Sequence, residues 1–87
     1  MNGSPPVLVL YGRAGCHLCQ AMVHELGPHL ERLGLQLKQI DISGEVELEA
    51  RYGWDIPVLA FGSEEICRHF FDLQCFQAKL SDCGLIP

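Results

Sequence analysis

Basic residues are scarce in this sequence, and no apolar segment is long. The 87 residues include 6 lysines and arginines against 11 aspartates and glutamates, so the formal net charge is −5 at pH 7. That balance disfavours nucleic acid and other phosphate-rich partners, because like charges repel one another. The most continuous apolar segment, Val7 to Tyr11, is far shorter than the roughly 20 residues that a bilayer span requires. We therefore expect neither a nucleic-acid partner nor a membrane partner.

The start of the chain also lacks a targeting signal. Residues Met1 to Pro6 contain no basic residue of the kind that opens a secretory signal peptide. We therefore expect a cytoplasmic protein that meets a reducing thiol pool. Because 87 residues are enough for one compact domain and too few for two, the prediction is a single domain over residues 1–87. We also expect a monomer.

Cysteine, in contrast, is abundant, with five residues in a small chain. Five thiols cannot all pair within one molecule, which argues against the disulfide scaffold of a secreted domain. Only Cys16 and Cys19 have the spacing of a redox or metal motif. We interpret Cys67, Cys75 and Cys83 as small apolar packing residues, because free cysteine is commonly buried.

The first part of the chain predicts a strand followed by a helix. Val7 to Tyr11 is apolar at every position, which indicates a central strand buried on both faces of a sheet. Pro28 lies inside the helical period that follows, so we expect a kink rather than an uninterrupted helix, and Gly34 should end it. The apolar face of this helix is predicted to consist of Leu18, Met22, Leu26, Leu30 and Leu33.

The middle of the chain predicts two strands around a short helix. Leu35 to Ile42 alternates between apolar and polar residues and then changes phase, as in a half-exposed edge strand with a bulge. Gly44 to Tyr52 fits either an alternating strand or a helix, and we favour the helix because glutamates lie near its start. Pro57 to Phe61 is a second apolar strand. The solvated face of the helix is expected to carry Glu45, Glu47 and Glu49.

The last part of the chain predicts a hairpin and a final helix. Gly62 and Ser63 suit a tight turn, after which Glu65 to His69 returns as an edge strand. Asp72 is a suitable N-cap for a helix whose apolar positions are Leu73, Phe76 and Leu80. The predicted order of elements is therefore β-α-β-α-β-β-α.

The chemistry of the sequence centres on Cys16-His17-Leu18-Cys19, which follows the predicted central strand and opens the first helix. A thiol at a helix N-terminus faces unpaired backbone amides and the positive end of the helix dipole, which stabilise thiolate over thiol. We therefore predict that Cys16 is the nucleophile. Cys19 lies one helical turn later, within reach of Cys16, and is predicted to be the less exposed resolving thiol.

Two neighbouring residues are candidates for supporting roles. Arg13 and His17 would add positive charge beside Cys16, which favours the thiolate and attracts anionic thiol partners. For His17, a solvent-facing position without a role is an equally good interpretation. The sequence alone leaves both interpretations of His17 open.

Three segments together carry a family resemblance: Leu10 to Cys19, Ile40-Asp41-Ile42, and Trp54-Asp55-Ile56-Pro57-Val58-Leu59. Over nearly the whole chain, the sequence resembles the thioredoxin superfamily, and within it the small glutaredoxin-like proteins with a Cys-His-Leu-Cys motif. This resemblance implies an α/β thioredoxin-like fold, with a four-stranded mixed sheet and helices on both faces. It also implies that Arg13 is the family's basic residue before the nucleophile and that Pro57 is its cis-proline. The backbone of Ile56 would then pair with an extended substrate.

One segment departs from the glutaredoxin pattern. Glutaredoxins usually carry a pair of glycines before the last helix, where the backbone grips the glutamyl end of glutathione. Here Phe70 and Phe71 occupy that place, and only Asp72 matches the last residue of the pattern. We therefore expect no bound cofactor and poor glutathione binding. The implied substrate-binding residues are Ile56, Pro57 and Asp72.

The function predicted from these residues is thiol-disulfide exchange with protein or small-molecule disulfides, carried out by Cys16 and Cys19. Two other classes of function stay open. Cys16 and Cys19 with Cys67, Cys75 or a histidine would make a tetrahedral zinc site, or a cluster held between two chains. Alternatively, the groove beside Pro57 binds an extended segment of a partner protein with little or no turnover.

Overall fold

The computed structural model describes residues 5–86, which form four strands and three helices in the predicted order. These elements are β1 (Val7–Gly12), α1 (His17–Leu33), β2 (Gln36–Asp41), α2 (Val46–Tyr52), β3 (Val58–Phe61), β4 (Glu64–Arg68) and α3 (Leu73–Asp82). Most of the segment in which no targeting signal was found, Met1 to Pro6, lies outside the described residues. Within residues 5–86, no helix combines the length and the apolar character that crossing a membrane requires.

The four strands form one mixed sheet in the order β2-β1-β3-β4. β1 pairs in parallel with β2 and antiparallel with β3, so it lies inside the sheet as predicted, and β2 is an edge strand. The pairing of β2 is regular from Gln36 to Asp41, so the bulge expected there is wrong. An irregularity lies instead between β3 and β4, at Leu59 and Ala60. The change of phase in β2 reflects its exposed edge position, where burial enforces alternation only weakly.

The two faces of β1 are buried to different degrees. Leu8 and Leu10 are 0% and 2% exposed, whereas Val7 on the opposite face is 39% exposed. On that opposite face, Tyr11 stacks on Tyr52 of α2 with the ring centroids 4.2 Å apart. The expectation of a strand buried on both faces is therefore wrong at Val7, because the short helix α2 covers only one end of this face.

The main core lies between the other face of the sheet and the helices α1 and α3. Its fully buried side chains include Leu8, Leu10, Met22, Leu26, Leu59, Phe76 and Leu80. With α1 and α3 on one face and α2 on the other, the helices cover both faces of the sheet as predicted. Leu18 and Leu73, which the helical period assigned to apolar faces, are 44% and 42% exposed. Both lie in the first turn of a helix, where the helix extends past the packed core.

Local chemistry explains where α1 ends. The φ angle of Gly34 is 68°, in the left-handed region, and its N–H donates to the Glu31 carbonyl at 3.3 Å. α1 runs through Pro28 as one uninterrupted helix, and a kink at Pro28 stays a prediction. Pro28 and His24 are both exposed, which lets solvent satisfy the His24 carbonyl that the missing proline amide leaves unpaired.

Candidate active site

Cys16 lies at the junction between β1 and α1, where it caps the helix. Its backbone is extended, with φ −85° and ψ 111°, and its sulfur accepts a hydrogen bond from the backbone N–H of Cys19 at 3.1 Å. The Cys16 carbonyl accepts the first helical hydrogen bond, from the N–H of Gln20 at 3.0 Å. A sulfur in this position faces the free amides and the positive end of the helix dipole. The geometry therefore favours a thiolate over a thiol at Cys16.

Cys16 and Cys19 are joined by a disulfide in this structure. Their Cα atoms are 5.2 Å apart, inside the usual disulfide range of about 4.4–6.8 Å. Cys19 is 7% exposed, whereas Cys16 is half-buried. The two residues therefore differ in access to a partner, which suits the attacking and resolving roles that the sequence predicts for them.

Gly12, at the end of β1, is a site residue that sequence analysis missed. A Cβ atom at this position would lie 2.8 Å from the Cys19 sulfur, closer than Cβ atoms approach other atoms in real proteins. Glycine therefore leaves the space that the Cys19 sulfur occupies beside the strand. In the sequence, Gly12 is visible only as a break after an apolar run, because its distance to Cys19 is set by the fold.

Arg13 connects the loop before Cys16 to α2. Its guanidinium pairs with the Glu49 carboxylate and also donates to the Gly53 carbonyl at 3.4 Å. Glu45 and Glu47 are exposed, as expected for a solvated face, whereas Glu49 is partly buried in this ion pair. The negative charge of Glu49 offsets part of the positive charge with which Arg13 would stabilise a Cys16 thiolate. The supporting role of Arg13 stays a prediction, as does that of His17, which is exposed at the first position of α1.

One of the two cavities that Cys19 lines opens between the ends of β1 and β2, has a volume of about 220 Å³ and also includes Asp41. The backbone N–H of Ser43 donates to Asp41 Oδ1 at 2.9 Å. This hydrogen bond holds the pKa of Asp41 below its ordinary value, so the carboxylate is ionised at neutral pH. Arg13 lines the same cavity, so charges of both signs lie beside Cys19.

The segment before β3 lies beside the cysteine motif. β3 pairs with β1 so that Val58 stands opposite Tyr11, which places Pro57 near the end of β1 that leads into the motif. The Ile56–Pro57 peptide bond is cis, and Pro57 is buried while Ile56 is partly exposed. The Pro57 carbonyl accepts the N–H of His69 at 2.8 Å. Ile56 precedes the paired residues of β3, so its backbone lies outside the strand registers.

Asp72 caps the last helix, as predicted. Its Oδ1 accepts the backbone N–H of Cys75 at 3.1 Å, so the carboxylate already satisfies an amide at the start of α3. Asp72 lines a cavity of about 480 Å³ that also contains Cys67 and Cys75. The structure therefore places Asp72 in a different cavity from Cys19, and a substrate contact by Asp72 stays a prediction.

Three large apolar side chains around the motif are exposed. Leu18, Trp54 and Phe70 are 44%, 93% and 68% exposed. Leu18 and Phe70 line the same cavity of about 160 Å³, between α1 and the loop before α3. Trp54 lines another cavity, of about 260 Å³, together with Arg13. Apolar contact area is therefore available on two sides of the cysteine motif.

Comparisons with known proteins agree with this architecture. The model of a family described as the glutaredoxin-like domain (DUF836) matches residues 7–81. A protein from Nitrosomonas europaea, solved by solution NMR, is 36% identical with a TM-score of 0.77, over 91% of this chain and 98% of that one. A protein from X. campestris, solved by X-ray methods, is 32% identical with a TM-score of 0.67, over 86% of this chain and 96% of that one. A malarial protein at 15% identity and a TM-score of 0.60, over 91% of this chain and 97% of that one, shares the fold alone. The predicted resemblance and fold are confirmed.

Proposed function

Because the chain belongs to the glutaredoxin-like (DUF836) family, we propose that it is a thiol-disulfide oxidoreductase that acts through Cys16 and Cys19. The observation that carries this proposal is the position of the Cys16 sulfur, which caps α1 and accepts the N–H of Cys19 at 3.1 Å. A free thiol with a pKa of about 8.5 is roughly 3% ionised at neutral pH, whereas a pKa of about 7 makes it half ionised. The position of Cys16 at the helix cap supports a reactive thiolate at this residue. We propose that the protein works in the cytoplasm.

The proposed reaction transfers two electrons from the dithiol to a partner disulfide. The Cys16 thiolate attacks one partner sulfur, which breaks the partner S–S bond, forms a mixed disulfide and releases the other partner sulfur as a thiolate. Cys19 then loses its proton and attacks the Cys16 sulfur, which releases the second partner sulfur. The released thiolates take up protons from solvent. The oxidised product is the Cys16–Cys19 disulfide, the state that this structure holds.

The order of attack follows from access. Cys19 is 7% exposed and lies close to Gly12, so a partner disulfide reaches it less readily than it reaches Cys16. Once Cys16 has formed a mixed disulfide with the partner, Cys19 lies one helical turn away from that disulfide. The second attack therefore takes place within one molecule. This arrangement supports Cys16 as the attacker and Cys19 as the resolving thiol.

Disulfides on extended protein segments are the proposed main substrates, bound by a monomer beside Ile56 and Pro57. The bulky Phe70 and Phe71 stand where glutaredoxins have glycines, and the Asp72 carboxylate caps α3. We therefore expect much poorer turnover of glutathionylated small disulfides than a dithiol glutaredoxin shows under the same conditions. Steady-state assays of the two proteins check this. Efficient, saturable turnover with glutathione would show that the missing glycines do not matter.

Two single variants test the proposed roles. After exposure to a small disulfide, Cys19→Ser should keep a stable mixed disulfide on Cys16, because the resolving thiol is gone. Cys16→Ser should form no adduct on Cys19. Mass spectrometry with peptide mapping locates each adduct, and Cys83→Ser, which leaves the pair intact, is the matched control. Equally fast adducts on Cys16 and Cys19 in the two variants would refute the assignment.

Two further measurements separate the proposal from the alternatives. Reduction of a protein disulfide by the wild-type chain, and not by Cys16→Ser, distinguishes an enzyme from a binding module. Metal analysis of protein purified without chelator tests a zinc site or a cluster. In the part of the chain that the structure describes, no group of three or more His, Cys, Asp or Glu side chains is placed to hold a metal ion.

A further inference from the structure

A second pair of neighbouring thiols lies outside the candidate active site: Cys67 in β4 and Cys75 in α3. The Cys75 thiol donates to the Ile66 carbonyl at 3.1 Å, so its sulfur lies against the backbone directly before Cys67. The Cys67 thiol donates to the carbonyl of Asp72 at 3.8 Å, at the cap of the helix that carries Cys75. Each thiol is therefore held against the backbone segment that carries the other.

The surroundings of this pair suit thiol exchange. Both residues line an open cavity of about 480 Å³, in which Cys75 is partly exposed and Cys67 is 6% exposed. Burial raises the pKa of the Cys67 thiol, and the neighbouring Cys75 thiol raises it further. Cys75 is the more accessible of the two thiols, which makes it the attacker. The charged residues that line the same cavity are two bases and two acids, Arg68, Lys79, Glu65 and Asp72, so its formal charges balance.

We propose that Cys67 and Cys75 form a second dithiol-disulfide couple, which a low-molecular-weight disulfide such as oxidised glutathione oxidises. The Cys75 thiolate attacks one glutathione sulfur, which breaks the glutathione S–S bond and releases one glutathione thiolate. Cys67 then loses its proton and attacks the Cys75 sulfur of the mixed disulfide, which releases the second glutathione. The protein loses two hydrogen atoms, and one molecule of oxidised glutathione becomes two of the reduced form.

The new bond would join the two ends of residues 68–74, the segment between the two cysteines. Phe70 in this segment shares a cavity with Leu18 of α1, beside the candidate active site. Oxidation of Cys67 and Cys75 would therefore restrict the motion of the segment that borders the site at Phe70. The chemistry of Cys16 and Cys19 would stay unchanged. Amide hydrogen exchange in residues 68–74 should be slower in the oxidised protein than in the reduced one.

The test uses the full chain with Cys16→Ser and Cys19→Ser, in which Cys67, Cys75 and Cys83 are the remaining thiols. Oxidised glutathione is added to the folded, reduced protein, and the intact mass is followed under non-reducing conditions. We expect the loss of two hydrogen atoms and a peptide map that joins Cys67 to Cys75, with Cys83 still open to alkylation. Cys83→Ser in the same background is the matched control and should leave the cross-link unchanged.

Cys75→Ser in the same background should abolish the cross-link, and circular dichroism shows whether that variant is folded. Three results would overturn the proposal: a glutathione adduct that persists on Cys75, a cross-link to Cys83, or thiols that all stay free in the folded protein. The same peptide map on the wild-type chain gives the answer even if a variant fails to fold. Because the double variant lacks the candidate active site, its result is independent of the proposed function.

Discussion

Replacing Gly12 with alanine tests how β1 accommodates the cysteine pair. The added Cβ would lie 2.8 Å from the Cys19 sulfur and 3.4 Å from the Cys19 Cβ. Cys19 is 7% exposed and belongs to a helix, so its sulfur has little room to move away and the strand or the helix must shift. Overpacking of this kind costs about 1–3 kcal/mol of unfolding free energy. In a domain of this size, each 1 kcal/mol lowers the Tm by about 4–8 °C, so we expect a fall of at least about 4 °C.

Thermal unfolding of the oxidised proteins, followed by circular dichroism, measures this effect. Gly27→Ala in α1 is the comparison variant, because a Cβ at Gly27 would meet no atom of a residue distant in sequence within 4 Å. In a helix interior, alanine is favoured over glycine by about 0.8–1.0 kcal/mol, but the ring of Pro28 disfavours a helical conformation for a residue with a Cβ before it. These two effects oppose each other, so Gly27→Ala should change the Tm less than Gly12→Ala, which should lower it.

Two outcomes of this comparison would refute the reasoning. A Gly12→Ala protein as stable as the wild type would mean that the Cys19 sulfur or the strand yields at no cost. Equal losses in Gly12→Ala and Gly27→Ala would mean that the cost comes from replacing glycine in general. Only a loss of stability that is clearly larger in Gly12→Ala than in Gly27→Ala supports a contact specific to Cys19.

Because Cys16 caps α1, we predict that the pKa of its thiol lies below about 8.5. The rate of alkylation measured against pH in Cys19→Ser gives this pKa, and a midpoint at or above about 8.5 would contradict the prediction. Asp72→Ala removes the cap of α3 and should cost about 0.5–2 kcal/mol in chemical denaturation, whereas Asp82→Ala, at the other end of α3, should cost nothing. The hydrogen bond from Arg68 lowers the pKa of Glu65 in the folded protein. This ion pair therefore stabilises the fold at pH values above the pKa that Glu65 has in the unfolded chain, and the stabilisation is lost as the pH falls through the pKa that Glu65 has in the folded protein. When the pH is lowered below about 4, the free energy of unfolding should therefore fall less in Glu65→Gln than in the wild type. An equal fall in the two proteins would mean that the ion pair contributes nothing to stability.

The order of the elements and the position of the cysteine motif could be predicted from the sequence, because they depend on neighbouring residues. An apolar run followed by glycine, a Cys-x-x-Cys spacing and a helical period specify a strand, a loop and a helix in turn. Gly34 and Asp72 mark helix ends through backbone conformation and capping, which involve only residues a few positions away. The mixed character of the sheet came from the family resemblance, and the full strand order was not predicted, since no local pattern contains it.

The tertiary structure alone decided the contacts between distant segments. Arg13 and Glu49 form an ion pair across 36 positions of sequence, and the Cys75 thiol reaches the Ile66 carbonyl only because α3 packs against β4. The exposure of Leu18 is similar: its helical period predicts burial, but the core does not extend to the first turn of α1. Periodicity specifies the direction in which a side chain faces along its own element. The atoms that it meets there depend on how the whole chain packs, which is a non-local property.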